Sequence, residues 1–160
     1  MRDHPTRSVR EEFAVQIAQI NNPASTTGSA STSMAADVVS PTRLFAAARA
    51  RIDGAMATLR HADGVIAPTA LATSIAVDQV QAGISVLRSV LVPTTTATYR
   101  HNASAAIDYA TRGIVLLDAY AEDVRPLGDD AFTRSSLPAT TRLQLDRGLS
   151  YLTLAINRIR

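Results

Sequence analysis

Four long segments with helical periodicity, each opened by a proline, are the feature that most constrains how this chain folds. The prolines are Pro41, Pro68, Pro93 and Pro138. Proline fits the first turn of a helix but disrupts a helix interior, so each proline marks a helix start. Three segments carry a glycine on their apolar stripe, at Gly83, Gly113 and Gly148. A glycine inside a helix costs roughly 0.5–1 kcal/mol relative to alanine, and close helix packing would offset that cost.

The predicted helices cover residues 41–62, 69–91 and 96–124, and a fourth runs from Ser136 to the last residue. Apolar residues recur in each at intervals of three and four, which places them on one helix face. The stripe of the first helix is Phe45, Ala48, Ile52, Ala55, Met56, Leu59 and Ala62, and that of the fourth is Leu145, Gly148, Leu149, Leu152, Ile156 and Ile159. Ser40 before Pro41 is a strong N-cap signal for the first helix. The second helix has a stripe through Val77, Gly83 and Leu91 and another through Leu71 and Val86, so we expect it to be the most buried.

Short connections between these segments favour antiparallel neighbours, because a short loop returns the chain beside the helix it has just left. The sequence therefore predicts an all-α, up-down-up-down four-helix bundle over residues 40–160. Residues 1–22 form an arm with a short amphipathic helix, and residues 23–39 form a linker rich in Ser, Thr and Ala. No segment shows the alternating pattern of a strand.

The arm is the candidate partner-binding element. Residues 8–20 place four apolar side chains on one face at helical spacing, Val9, Phe13, Ile17 and Ile20. An isolated helix of this length is marginal in water. Apolar residues at such spacing are typical of a helix that docks into a groove. We therefore expect the stripe to bind a partner or to pack on a bundle.

The composition excludes several kinds of chemistry. The chain has no Cys, so it has neither a thiolate metal site nor a cysteine nucleophile. It has no Lys, and the sequence contains no phosphate-binding motif that would require one. Interior aspartates occur in all four predicted helices, Asp53, Asp78, Asp108 and Asp146. Three of them have an arginine four residues away, which favours surface ion pairs over a cation site. We expect no metal site, no cofactor and no catalytic residues.

One cluster is a candidate site for a small ligand. Tyr99, Arg100 and His101 are adjacent near the start of the third predicted helix, where a helix N-terminus favours an anion. His61 lies at the end of the first predicted helix and is expected at the same end of the bundle. The alternative for all four residues is a solvated surface, with the tyrosine ring covering apolar side chains.

These patterns favour a non-catalytic interaction or assembly module that docks through its arm and binds a protein partner or another copy of itself. One alternative is a small-ligand-binding or enzymatic bundle that uses the cluster of His, Tyr and Arg. Another is a secreted bacterial effector whose residues 23–36 belong to a translocation region. A third, weaker alternative is nucleic-acid binding through Arg2, Arg7 and Arg10, joined by Arg158 and Arg160. It is not expected, because the net charge is only +2 and the arginines are dispersed. No membrane span is expected, and the location is cytoplasmic, within a larger assembly, or reached by secretion without a signal peptide.

Overall fold

The structure is a computed structural model that describes residues 39–60 and 64–160. Its helices are Pro41–Leu59 (α1), Ala70–Arg88 (α2), Ala97–Val124 (α3) and Ala139–Arg158 (α4). Two short strands, Ile66–Ala67 (β1) and Phe132–Thr133 (β2), and two 3-10 turns, Arg125–Leu127 and Arg134–Ser136, complete the regular structure of this part. The all-α four-helix bundle predicted from the sequence is confirmed.

Local signals account for most helix boundaries. The hydroxyl of Ser40 accepts a hydrogen bond from the backbone N–H of Arg43 at 3.3 Å, which caps α1 as predicted. α1 ends at Leu59 rather than residue 62, and α2 ends at Arg88 rather than residue 91. α4 begins at Ala139 rather than residue 136, because the residue before a proline is pushed out of the helical region and Leu137 is accordingly extended.

Consecutive helices run antiparallel. Gly83, late in α2, lies against Ala48, early in α1. Tyr120, late in α3, reaches Pro68, just before α2. Between α3 and α4, the hydroxyl of Thr141 at the start of α4 donates a 3.0 Å hydrogen bond to Asp123 at the end of α3. Contacts concentrate between consecutive helices, whereas α1 and α4 touch each other only sparsely. The bundle is therefore tightly closed on three sides and opens into a cleft between α1 and α4.

A small β-ladder, which the sequence did not predict, joins two loops at one end of the bundle. β1 and β2 pair antiparallel, with Ile66 opposite Thr133 and Ala67 opposite Phe132. The backbone N–H of Arg134 extends the pairing by donating to the carbonyl of Val65 at 2.8 Å. Two residues are too short to show an alternating pattern, so only their spatial meeting reveals the strands.

The predicted apolar stripes form the core of α1 and α4. The buried residues of α1 are Phe45, Ala48, Ile52, Ala55, Met56 and Leu59, and those on the predicted stripe of α4 are Leu145, Gly148, Leu149, Leu152, Ile156 and Ile159. In α2 the stripe through Val77 and Gly83 is buried, but the second stripe faces outward. Leu71 is 58% exposed and Ile75 is 47% exposed. The second stripe is thus exposed at Leu71 and Ile75, although seven of the 19 residues of α2 are buried, the largest share among the four helices.

The stripe glycines lie where helices approach most closely, as predicted. A Cβ at Gly148 would lie 2.9 Å from Cγ of Leu117 in α3, and a Cβ at Gly113 would lie 3.0 Å from Cδ2 of Leu152 in α4. Gly83 packs in the same way against Ile52 of α1, at 3.2 Å from its Cγ1. A side chain at any of these positions would force two helices apart.

Tyr120 is a buried polar residue that the sequence analysis did not place in the core. Its side chain is fully buried, and its hydroxyl donates a 2.7 Å hydrogen bond to the carbonyl oxygen of Pro68. Burial raises the pKa of this phenol to about 12, an effect that the nearby positive charge of Arg134 partly opposes. The bond fixes the end of α3 to the segment that leads into α2.

Candidate functional site

The most distinctive surface of the bundle is the outer face of α2, which we define by Leu71, Ile75, Ala82 and Val86. These positions are spaced by four, seven and four residues, so they lie along one side of the helix. They lie opposite the buried residues of the same helix, such as Val80, which is fully buried. In its 19 residues α2 carries only two charged side chains, Asp78 and Arg88. α2 therefore has an apolar inner face that forms core and an apolar outer face on which Leu71 and Ile75 are exposed, whereas Ala82 and Val86 are half-buried.

A helix that is apolar on both sides is typical of an element buried on both sides. Within the described part of the chain, α2 is also the one helix long and apolar enough to cross a membrane by length and composition. This property does not test the expectation of no membrane span, because core helices of soluble proteins share the same length and composition. In the bundle the buried side of α2 forms part of the core.

A group of carboxylates borders this face on the side of α3. Asp78 lies on the exposed surface of α2, and Asp118 and Glu122 lie one turn apart on α3. Partial burial, followed by repulsion from Glu122 and Asp78, raises the pKa of the Asp118 carboxyl. The three carboxylates are therefore close enough to repel one another, and they give the outer face of α2 an acidic edge.

An apolar groove continues from the C-terminal end of α2 to the point where the described chain begins. It has a volume of about 590 Å³, and its walls include Val39, Leu44, Ser89, Val92 and Tyr99. Val39 is 51% exposed and Val92 is 43% exposed. Val39, the first described residue, therefore lines the same groove as Ser89 at the C-terminal end of α2.

The predicted ligand cluster is only partly assembled. The ring of Tyr99 packs edge-on against Phe45 with centroids 5.4 Å apart, and its hydroxyl lies 3.3 Å from the hydroxyl of Thr42. His101 is exposed and Arg100 is half-buried. These contacts fit the structural alternative, in which the tyrosine covers an apolar side chain at the bundle surface.

His61 lies outside the described residues, but the chain on either side of it does not approach Tyr99. Tyr99 contacts the first turn of α1, whereas Arg60 follows the last turn of that helix. A helix of 19 residues is about 28 Å long, so the two ends are far apart. Because His61 itself is not described, its expected position beside Tyr99, Arg100 and His101 stays a prediction.

The arm residues Val9, Phe13, Ile17 and Ile20 also lie outside the described residues, so their role stays a prediction. The aspartate pairs are described. Asp53 pairs with Arg49 at 3.3 Å and Asp108 with Arg112 at 3.1 Å, as predicted. Asp146 pairs with Arg134 instead of Arg142, because the loop after β2 brings Arg134 across to α4. Across residues 39–60 and 64–160, no group of three His, Asp or Glu side chains is arranged to hold a metal ion.

The arginines of the nucleic-acid alternative do not form one described surface. Arg2, Arg7 and Arg10 lie outside the described residues. The guanidinium of Arg158 lies over the ring of Tyr109, 5.9 Å from its centroid, and Tyr109 stacks on Tyr151. This cation–π contact holds Arg158 against the junction of α3 and α4.

Comparison of the chain with protein-family models, with curated proteins and with solved structures found no match.

Proposed function

We propose that this protein is a non-catalytic helical interaction module that assembles with copies of itself, and that the outer face of α2 is the docking surface of its bundle. The observation that carries the proposal is the apolar outer face of α2, on which Leu71 and Ile75 are exposed beside the half-buried Ala82 and Val86. Each of the first two side chains keeps about half of its surface in water. Covering that half would contribute about 1 kcal/mol for each residue.

The length and the charge of this face indicate what kind of segment would bind to it. From Leu71 to Val86 the face extends about 22 Å along the helix axis, which suits an amphipathic helix of three to four turns. Its acidic edge, Asp78 and Asp118, favours an occupant with basic residues beside its apolar stripe. The occupant is therefore an amphipathic helix with a basic flank.

The arm of a second copy matches the length and apolar character of this face. The stripe from Val9 to Ile20 would extend about 16 Å as a helix, which the face can accommodate. Arg10 lies three residues before Phe13 and places a basic group at one edge of the stripe, whereas Glu12 lies beyond the other edge. An exchange of arms between two copies would cover both apolar faces and both stripes, and it would close the assembly as a symmetric dimer.

The linker is long enough for this exchange. Residues 21–38 separate the stripe from Val39. An 18-residue linker of this Ser-, Thr- and Ala-rich composition has a root-mean-square span of roughly 21–25 Å. That distance is comparable to the length of α2, so an arm that starts beside the C-terminal end of α2 can reach the same face on a neighbouring copy.

The test is the oligomeric state of the full-length chain, measured by size-exclusion chromatography with light scattering over a range of concentrations. We expect the parent protein to be a dimer. We expect Leu71→Asp with Ile75→Asp, and separately Phe13→Asp with Ile17→Asp, to give a folded monomer. Val115→Asp is the matched control, because Val115 is an exposed apolar residue on α3 outside this face.

A charge exchange tests the pairing itself. Asp78→Arg and Arg10→Asp should each weaken the dimer, and the two changes together should restore it, because the ion pair is then reversed. A monomeric parent protein would overturn self-assembly. A dimer that survives the α2 substitutions would show that another surface holds it together, and binding of the parent to phospholipid vesicles that the α2 substitutions abolish would assign the face to a membrane.

A further inference from the structure

The outer face of α4 is a second surface, separate from the outer face of α2, and we define it by Leu143, Arg147, Leu154 and Arg158. These positions are spaced by four, seven and four residues, so they lie along one side of the helix. They lie opposite the buried residues of α4, such as Leu152. All four residues are exposed, and the two leucines keep 46% and 43% of their surfaces in water. α4 therefore presents leucines and arginines in alternation to its surroundings.

The arginine at the C-terminal end of this face is held in position by two aromatic rings. The guanidinium of Arg158 lies 5.9 Å from the centroid of the Tyr109 ring, which in turn stacks on Tyr151 with centroids 6.4 Å apart. Arg147 lies one turn before Tyr151 on α4. A side chain that is already held loses less conformational entropy on binding, and Arg and Tyr are enriched among the residues that contribute most to protein interfaces. The composition and the geometry of this face therefore suit it to binding a partner.

Two ion pairs border the face, and both use arginines that do not belong to it. Toward the loop after β2, Asp146 pairs with Arg134. Toward α3, Asp108 pairs with Arg112 at 3.1 Å. Each of these carboxylates thus balances the charge of an arginine outside the face. The outer face of α4 therefore keeps the positive charge of its own two arginines.

The length and the pattern of the face favour a helix as its occupant. From Leu143 to Arg158 the face extends about 22 Å along the helix axis. Its leucines and arginines recur at intervals of one or two turns, which a helix lying alongside can match, because its own side chains repeat at the same intervals. In a helix that binds a membrane surface the basic residues lie beside the apolar stripe, whereas here they alternate with the leucines along one line. The pattern therefore favours a helical protein segment over a lipid surface.

We propose that the outer face of α4 binds an acidic amphipathic helix of a partner protein, whose apolar residues pack on Leu143 and Leu154 and whose carboxylates pair with Arg147 and Arg158. Charge complementarity determines the sign of the partner, because two exposed arginines attract carboxylates and repel a basic segment. The site is distinct from the outer face of α2, whose acidic edge favours a basic occupant. In this proposal the bundle has two docking faces of opposite charge, one for another copy of itself and one for a different, acidic protein.

The test is fluorescence anisotropy of the full-length chain with two labelled synthetic peptides of about four helical turns. Both peptides repeat leucine at alternating intervals of three and four residues, and the positions beside the leucines are glutamate in one peptide and glutamine in the other. We expect the glutamate peptide to bind about three- to tenfold more tightly, as for two partly exposed ion pairs. The difference should shrink as salt is added, because salt screens exposed charges.

Substitutions in the face separate its charge from its apolar part. Arg147→Gln with Arg158→Gln removes the charge, so it should weaken the glutamate peptide by a similar factor and leave the glutamine peptide unchanged. Leu143→Ser with Leu154→Ser removes the apolar part and should weaken both peptides. All four residues are exposed, so the melting temperature of each variant should stay close to that of the parent, which separates a lost affinity from a lost fold.

Arg43→Gln with Arg51→Gln is the matched control, because it removes the same charge from the exposed surface of α1. It should leave both affinities unchanged. Leu71→Asp with Ile75→Asp, which tests the outer face of α2, should leave them unchanged as well, so the two proposals can fail independently of each other.

Four kinds of result would overturn the proposal. The first three are no binding of the glutamate peptide at millimolar concentration, equal affinity for the two peptides, and equal weakening by the two pairs of arginine substitutions. Binding of the parent to anionic phospholipid vesicles that the paired leucine substitutions abolish would assign the face to a membrane instead. Loss of the dimer in the variant with Arg147→Gln and Arg158→Gln would likewise assign the face to a second copy of the chain.

Discussion

The contact between α3 and α4 allows a quantitative test of the packing argument through Gly148→Ala. The added Cβ would lie 2.9 Å from Cγ and 3.0 Å from Cδ2 of Leu117, and 3.4 Å from the carbonyl oxygen of Gly113. Carbon atoms prefer a separation of roughly 3.5–4.0 Å, so one helix must move by about half an ångström or more. Leu117 is fully buried, and it therefore has little room to withdraw.

Two opposing free-energy contributions determine how Gly148→Ala changes the stability of the protein. Overfilling a packed interface costs about 1–3 kcal/mol, whereas replacing a helix-interior glycine by alanine contributes about 0.8–1.0 kcal/mol through helix propensity. We therefore expect Gly148→Ala to lower the free energy of unfolding by about 0–2 kcal/mol. The propensity term is removed by comparison with Gly54→Ala in α1, where the nearest atom to an added Cβ is Oε1 of Gln79 at 3.6 Å. Gly54→Ala should stabilise the protein by about 0.5–1 kcal/mol.

The assay is urea denaturation of both variants at 25 °C, followed by circular dichroism. The difference between the two free energies of unfolding isolates the packing term, and we expect it to be about 1–3 kcal/mol. In a Leu117→Ala background the obstacle is absent, so there Gly148→Ala should become stabilising. Equal stability of the two alanine variants, or no change of sign in that background, would refute the close α3–α4 contact as the reason for glycine.

Three further predictions address Tyr120, Asp118 and the fragment that begins at Val39. Tyr120→Phe leaves the carbonyl of Pro68 without its buried donor and should cost about 1–3 kcal/mol in urea denaturation. Because the folded-state pKa of Tyr120 is raised from 10.0 to about 12, its contribution is complete below pH 10 and is lost as pH rises from 10 to 12. Melting curves across that range should fall more steeply for the parent than for Tyr120→Phe, and parallel curves would contradict this.

The raised pKa of Asp118 means that its ionised form opposes folding, so the parent should gain stability as pH falls toward the ordinary carboxyl value of 3.8. Asp118→Asn should melt higher than the parent at pH 7 and lose that acid-side gain, whereas a lower melting temperature would show that the carboxylate is stabilising. Residues 39–160 should melt cooperatively without the arm, because they supply the whole described core, and an unfolded circular dichroism spectrum of this fragment would show that the core requires residues 1–38.

The sequence by itself determined the helices and one apolar face of each. Every described residue of the predicted stripes of α1 and α4 is buried, from Phe45 to Leu59 and from Leu145 to Ile159. The N-cap at Ser40 and the packing glycines could also be predicted from the sequence. These features are local, because helical periodicity and capping involve residues within a few positions of one another.

Only the tertiary structure decided which apolar helix faces are covered by other parts of the chain. α2 has two apolar stripes of similar strength, and the neighbours that cover Val77 while leaving Ile75 exposed belong to distant parts of the chain. The same reason explains the pairing of Asp146 with Arg134, the bond from Tyr120 to Pro68 and the β-ladder. Each joins residues from different elements, and their relative placement depends on how the whole bundle packs. The candidate surface, the outer face of α2, arises from that packing and not from any local motif.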